Sequence, residues 1–300
     1  MVRALICAVA TVSFASLASA ADWKPGPGPL LTKWGKEVSP EKVHPEYPRP
    51  QLVREKWTNL NGLWQYAIAA KNAGLPEKFA ETILVPFCIE SSLSGVMKRV
   101  SPQEKLWYRR TFAMPALAAG ERHLIHFGAV DWEATVFVNG KEIGQHRGGY
   151  DPFSFDITAA LDAKKAEQEL IVSVWDPTDT GTQPRGKQIG RPHGIWYTPV
   201  TGIWQTVWLE TVPAKYIERL VITPQIGSGE FVVKAEVKEA TGLTLHISAK
   251  GGAADSGKGT GPASGPVAVK IAEPHLWTPS DPFLYDLTIE LLEGDKVVDR

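Results

Sequence analysis

Ala134-Thr135-Val136-Phe137-Val138-Asn139-Gly140-Lys141-Glu142-Ile143-Gly144 is two β-rich runs joined by an Asn-Gly pair. Asn and Gly both accept φ > 0, which a two-residue hairpin turn needs, so this is the strongest short-range hairpin signal a sequence carries. Downstream, Phe153, Phe155 and Ile157 alternate with Ser154, Asp156 and Thr158, a period of two with one face buried. Upstream, strands are expected at Leu60–Ile68, Thr82–Ile89, Trp107–Phe112 and Arg122–Phe127, and further on at Leu170–Trp175 and Trp204–Thr211. No amphipathic helix of three turns interrupts them. Many short strands with frequent turns make a sandwich or jelly roll over residues 57–212.

Val212-Pro213 marks a boundary. Beyond it come Ile217–Ile222, Phe231–Val237, Leu243–Ile247, Val267–Ile271 and Tyr285–Leu291, a set that suits a smaller sandwich of immunoglobulin type over 213–300. Gly251–Gly265 is rich in Gly, Ser and Ala and reads as a flexible loop between two strands. The last strand, Lys296–Arg300, opens a hairpin with no room to finish, so the second sandwich is expected to be incomplete. Residues 21–56 hold seven Pro from Pro25 to Pro50 and read as an extended lead-in lying over a domain surface.

The composition narrows the classes. Over 300 residues, 32 Lys+Arg against 33 Asp+Glu leave a net charge of -1, which offers no electrostatic footprint for nucleic acid or an anionic membrane. With 43% hydrophobic and 22% charged residues the chain is globular. Its 27 Gly and 23 Pro imply frequent turns and few long helices. Arg3, the apolar run Ala4–Leu17 and Ala18-Ser19-Ala20 have the layout of a signal peptide over 1–20. Cys7 leaves with it, so the mature chain keeps the single thiol of Cys88 and no internal disulfide. Export to a bacterial periplasm or beyond is the expected localisation.

Several chemical signals dissolve. Gly252–Lys258 begins like a phosphate loop, but Gly259 stands where Ser or Thr is required. No G-x-S-x-G elbow occurs. His123 and His126 fall on opposite faces of a strand, so no metal pair is expected. The segment that packing alone does not explain is Asp176–His193, followed by Gly194-Ile195-Trp196-Tyr197. It brings carboxylate, amide, guanidinium, ammonium and imidazole groups close to aromatic rings, the mixture that recognises a hydroxyl-rich ring with one apolar face. A loop of that length is functional, a buttress or disordered. Of the eleven Trp, Trp57, Trp64, Trp107, Trp132, Trp175, Trp204 and Trp208 read as core; Trp196, beside the polar loop, is the exception.

Seven motifs in order from residue 57 resemble glycoside hydrolase family 2, the β-galactosidases, β-glucuronidases and β-mannosidases. They are Leu60-Asn61-Gly62-Leu63-Trp64, Val85-Pro86, Leu106-Trp107-Tyr108-Arg109-Arg110-Thr111-Phe112, Val136-Phe137-Val138-Asn139-Gly140, His146-Arg147-Gly148-Gly149-Tyr150-Asp151-Pro152-Phe153, Gly202-Ile203-Trp204-Gln205-Thr206-Val207-Trp208-Leu209 and Leu276-Trp277-Thr278-Pro279. The resemblance implies an all-β chain: a galactose-binding-domain-like jelly-roll sandwich followed by an immunoglobulin-like β-sandwich. It also implies retaining hydrolysis of terminal β-linked sugars by two Glu, carried by a (β/α)8 barrel that this chain lacks; no Asn-Glu dipeptide, the family's acid/base signature, occurs in it. No catalytic residue is therefore assigned. Carbohydrate is the expected partner, with Arg185, Lys187 and Gln188, backed by Asp179 and His193 and flanked by Trp196, as substrate-binding residues. No organic cofactor and no metal is expected. A stand-alone carbohydrate-binding protein and an adhesion module are the alternatives.

Overall fold

The computed structural model describes residues 23–28, 31–114, 117–252 and 254–300; the expected signal peptide lies outside them. The first domain is built from β1 (Trp57–Asn59), β2 (Gly62–Ala70), β3 (Glu81–Val85), β4 (Glu104–Ala113), β5 (Arg122–Phe127), β6 (Val130–Asp131), β7 (Glu133–Val138), β8 (Lys141–Arg147), β9 (Phe153–Asp156), β10 (Glu167–Trp175), β11 (Gly202–Ile203) and β12 (Val207–Val212). The Asn-Gly hairpin forms as the sequence requires: Val138 faces Lys141, and Asn139 and Gly140 take φ of 50° and 78°. Asn139 is also a brace, its Nδ2 donating to Ala160 O at 2.9 Å and Gln168 Oε1 at 2.7 Å.

Two antiparallel sheets make the jelly roll, one ordered β3-β2-β4-β10-β7-β8 and the other β1-β12-β5-β9, with β6 and β11 paired at one end. The alternation of β10 shows why they stack. Leu170, Val172 and Val174 are fully buried between the sheets with Trp64, Tyr108, Ile125, Phe127 and Leu209, while Ile171 points out to pack with Phe79 and Trp107. Each such side chain contributes about 1.5–3 kcal/mol by leaving water. Trp64 meets Tyr108 edge-on at 6.2 Å. Trp64, Trp107 and Trp208 are core residues, whereas Trp57, Trp132, Trp175 and Trp204 are only partly buried.

The second sandwich packs β13 (Ile217–Gln225), β14 (Glu230–Val237) and β17 (Val267–Lys270) on β15 (Leu243–Gly251), β16 (Ala254–Pro262), β18 (Asp286–Glu293) and β19 (Lys296–Asp299). Two expectations are corrected here. The Gly-rich stretch is no loop: β16 pairs with β15 from Thr244↔Pro262 to Gly251↔Ala254. Its glycines alternate, and a Cβ on Gly259 or Gly261 would press within 2.9 Å of Ala268 O, Val267 or Val269, so their lack of side chains lets this strand approach β17 closely. The final hairpin also closes, Glu293 facing Lys296 around Gly294 at φ 58°.

Between residues 31 and 56 the lead-in forms no strand but is pinned at the junction of the two sandwiches. Arg49 forks onto Glu210, which also accepts from Tyr47 and Trp208. Arg54 bonds Asp299 and donates to Ile217 O at 2.6 Å. Burial opposes the charge on Glu210, yet His126, Arg49 and Tyr47 outweigh it and hold the carboxyl far below the usual range. Among the described residues no helix is long and apolar enough to cross a membrane.

Candidate functional site

The polar loop leaves the six-stranded sheet after Trp175 and returns at β11, where Gly202 pairs with Asp131 and Ile203 with Val130. Both ends are tied to buried carboxylates. Asp176 accepts from Thr178 N at 2.7 Å and from Thr201 Oγ1 at 2.9 Å, and Glu90 accepts from Thr201 N at 3.0 Å. In mid-loop, Gln188 donates from Nε2 to Asp131 Oδ2 at 3.1 Å and accepts from Val200 N at 2.6 Å. A parallel bridge joins Gln188 and Tyr197, with Ile189 N bonding Tyr197 O and Tyr197 N bonding Lys187 O at 3.1 and 2.8 Å. Ordered backbone pairing of this kind gives the loop a definite shape, so its outer side chains are presented in fixed positions.

The turn before β9 closes the base. Asp131 follows β5 in a stretch with a cis Asp131-Trp132 peptide, and a Cβ on Gly149 would overlap its carboxyl at 2.6 Å; only glycine lets that backbone pass so close. Trp204 Nε1 donates to Gly149 O at 2.7 Å, and Trp204 meets Tyr150 edge-on at 6.3 Å.

Burial dominates the electrostatics. It pushes Glu90 up to about 7, helped by the charge of Asp176 and opposed by the Thr201 bonds. Asp131 is likewise pushed up to about 7 by burial and by Asp176, with the Gln188 amide pulling the other way. Asp176 is raised too, through burial, against its bonds to Thr178 and Thr201. Burial and the neighbouring Glu90 raise the Cys88 thiol to about 11, so it carries little thiolate near neutral pH. These three carboxyls are 9%, 4% and 2% exposed for Glu90, Asp131 and Asp176, and each accepts a hydrogen bond from the loop.

The loop residues singled out from sequence divide in two. Gln188 and Asp179 hold the loop together: Asp179 Oδ2 accepts from Gly190 N at 3.1 Å, and its carbonyl accepts from Arg185 Nη1 at 2.8 Å. Arg185 lies 5.9 Å from the centroid of the Trp196 ring, so these two form one aromatic-cationic face. Lys187 and His193 are exposed; His193 Nδ1 is 2.8 Å from Arg191 O, and Trp196 N donates to His193 O at 2.9 Å. Ile195 and Tyr197, 67% and 66% exposed, and Tyr150 at 49% extend the lip. Sequence reasoning missed Glu90, Asp131 and Tyr150; the signal for Asp131 was an acid set among Phe127-Gly128-Ala129-Val130 and Trp132. Among the described residues no group of three or more His, Cys, Asp and Glu is placed to hold a metal ion.

Comparison with known proteins gives the same two units. Residues 57–213 match the model "Glycosyl hydrolases family 2, sugar binding domain" and residues 215–300 match "Glycosyl hydrolases family 2". A beta-glucuronidase of Paenibacillus borealis is 26% identical over 83% of this chain and 44% of its own length; a beta-galactosidase of Thermoanaerobacter pseudethanolicus is 27% identical over 65% of this chain and 27% of its own length. Among solved structures, a beta-glucuronidase of Lactobacillus rhamnosus superposes with a TM-score of 0.64 at 25% identity, covering 84% of this chain and 44% of that one. The chain thus spans less than half the length of these relatives.

Proposed function

The chain belongs to glycosyl hydrolase family 2, and from that membership we propose that it is the N-terminal part of an exported, retaining glycoside hydrolase that removes terminal β-linked sugars from a glycan. In this reading the two sandwiches bind and position the sugar, and the two catalytic Glu lie in another part of the protein. The observation that carries it is the lip of Arg185, Trp196, Lys187 and His193 on a loop whose base is locked by Gln188, Thr201 and three carboxyls. A planar guanidinium over an indole, with the exposed Lys187 and His193 on the same loop, suits the edge hydroxyls and the apolar face of a pyranose. The relatives named as beta-glucuronidase and beta-galactosidase support a glucuronide or a galactoside as the class of ligand. Export is supported by the sequence of residues 1–20.

Calorimetry of the 300-residue chain with methyl β-D-glucuronide and methyl β-D-galactoside tests the site. We expect weak binding of at least one, reduced about tenfold or more by Trp196→Ala, the loss of one stacked ring. Unchanged affinity in Trp196→Ala would remove the loop from the sugar site. Turnover of nitrophenyl glycosides by these 300 residues at enzyme-like rates would overturn the assignment of catalysis elsewhere.

A further inference from the structure

Beside the loop site, sharing Tyr150 and Trp204 with it but none of residues 176–200, a groove of about 800 Å³ runs between the lead-in at His44–Pro50, the turn Tyr150–Pro152 with β9, and the start of the second sandwich at Glu218 and Arg219. We propose that this groove is a carbohydrate subsite that holds the chain of a β-linked oligosaccharide whose terminal ring lies at the polar loop. The proposal rests on the sugar-binding reading above.

Three observations carry it. First, the groove abuts the loop at Tyr150. Tyr150 lines it, and the Tyr150 hydroxyl lies 3.4 Å from where a Cβ of Gly186 would stand, on the loop itself. Second, its lining contains both rings and hydrogen-bonding groups: Tyr47, Phe153 and Trp204 on one hand, Gln205, Glu218 and Arg219 on the other. A lipid or an apolar helix selects a continuous apolar floor, whereas rings together with amide, carboxylate and guanidinium groups match the two kinds of surface on a pyranose chain. Third, the size and stiffness fit. The volume falls in the upper part of the range of small-molecule sites, roughly 300–1,000 Å³, which a di- or trisaccharide fills and a single ring does not. Pro48, Pro50, Pro86 and Pro152 form parts of the wall, and their fixed φ limits the ordering needed on binding. Gly128 also lines the groove, leaving open the space that a side chain there would take beside Gln205.

The test compares single rings (methyl β-D-glucuronide, methyl β-D-galactoside) with β-linked tetrasaccharides (β-1,4-galactotetraose and a tetrasaccharide ending in glucuronate) by calorimetry on the 300-residue chain. At least one tetrasaccharide is expected to bind tenfold or more tighter than its single ring. Gln205→Trp, at an exposed position, fills the groove and should abolish that gain while leaving single-ring binding as it was. Arg219→Ala, which removes an exposed partner of Glu236, should reduce the gain several-fold without altering the melting temperature. If single rings bind but no tetrasaccharide binds tighter, or the gain survives both variants, the groove proposal falls and the loop reading stands. If tetrasaccharides bind in a Gln205-dependent way while Trp196→Ala changes nothing, the loop reading falls and the groove stands. No binding of any probe overturns both.

Discussion

Gly202→Ala should be among the most damaging single-methyl changes in this protein. Gly202 sits at φ 93°, where an L side chain costs roughly 1–2 kcal/mol. Its Cβ would overlap the Tyr108 hydroxyl and come within 3.0 Å of Leu106 Cδ2. Tyr108 and Leu106 are fully buried in the jelly-roll core, so neither can move aside freely, and overpacking of this kind costs about 1–3 kcal/mol. Displacing Tyr108 also breaks the bond from Ile203 N, 3.2 Å long and buried, worth about 1 kcal/mol. The sum is on the order of 3–6 kcal/mol, a drop of roughly 10 °C or more in the melting of a domain this size. Gly120→Ala is the control: φ is 84° but, among the described residues, nothing lies within 4 Å of the added carbon, so only the backbone cost of roughly 1–2 kcal/mol remains. Adding Tyr108→Phe to Gly202→Ala removes the overlapping oxygen, so the double variant should be less destabilised than the two single losses predict. Chemical denaturation of the parent, Gly202→Ala, Tyr108→Phe, their double variant and Gly120→Ala measures this. Equal losses for Gly202→Ala and Gly120→Ala would refute the close-contact reasoning.

Other consequences are simpler to state. Glu90 sits higher in the folded than in the unfolded chain, so its contribution is most favourable below the ordinary carboxylate range and erodes as pH rises towards about 7. Glu90→Gln should therefore stabilise the protein by roughly 1–3 kcal/mol at pH 8 and by much less at pH 4.5; a gain independent of pH would contradict the assignment. Glu210 behaves in the opposite sense: held low by His126, Arg49 and Tyr47 against its burial, it adds stability above the ordinary range that is lost as pH falls. Arg49→Ala leaves that buried carboxylate short of its forked partner and should cost about 3 kcal/mol, with limited proteolysis of residues 31–56 accelerated; unaltered cleavage would mean the clasp does not hold the lead-in. Gly259→Val, pressing on Ala268 O and Val269, should cost about 1–3 kcal/mol and melt the second sandwich, and a neutral effect would argue against β16 packing on β17.

How much of this was legible in the sequence depended on whether a signal was local. The hairpin at Asn139-Gly140 is specified by two adjacent residues, and the alternation of Phe153, Phe155 and Ile157 with Ser154 and Asp156 by a single short stretch; both read correctly. The stretch at 251–265 misled because glycine has two opposite uses. In isolation it raises chain entropy and suggests a flexible loop; opposite Val267 and Val269 it is the only residue small enough for the strand to sit there, and nothing near it in sequence announces that neighbour. The carboxyl base failed for the same reason. Glu90, Asp131 and Asp176 are far apart in the chain, and even the apolar setting of Asp131 does not say which acids it meets. They converge only through the pairing of Gly202 with Asp131 and the two bonds of Thr201.

The loop residues illustrate the remaining gap. Residue type identified a polar-aromatic segment, but type does not say which way a side chain points. Gln188 has the amide that a sugar hydroxyl would want, yet both ends of that amide are engaged, one by Asp131 and one by Val200 N. Its removal would leave a buried carboxylate without its donor, so loss of sugar binding in a Gln188 variant would follow from a collapsed loop as readily as from a lost contact. Asp179 is similarly occupied at Gly190. Lys187 and His193 are exposed, and Trp196 keeps its ring beside Arg185. The inward residues set the shape and the outward ones meet the solvent. Of the six positions, Trp196, Lys187 and His193 are therefore where substitution separates recognition from folding.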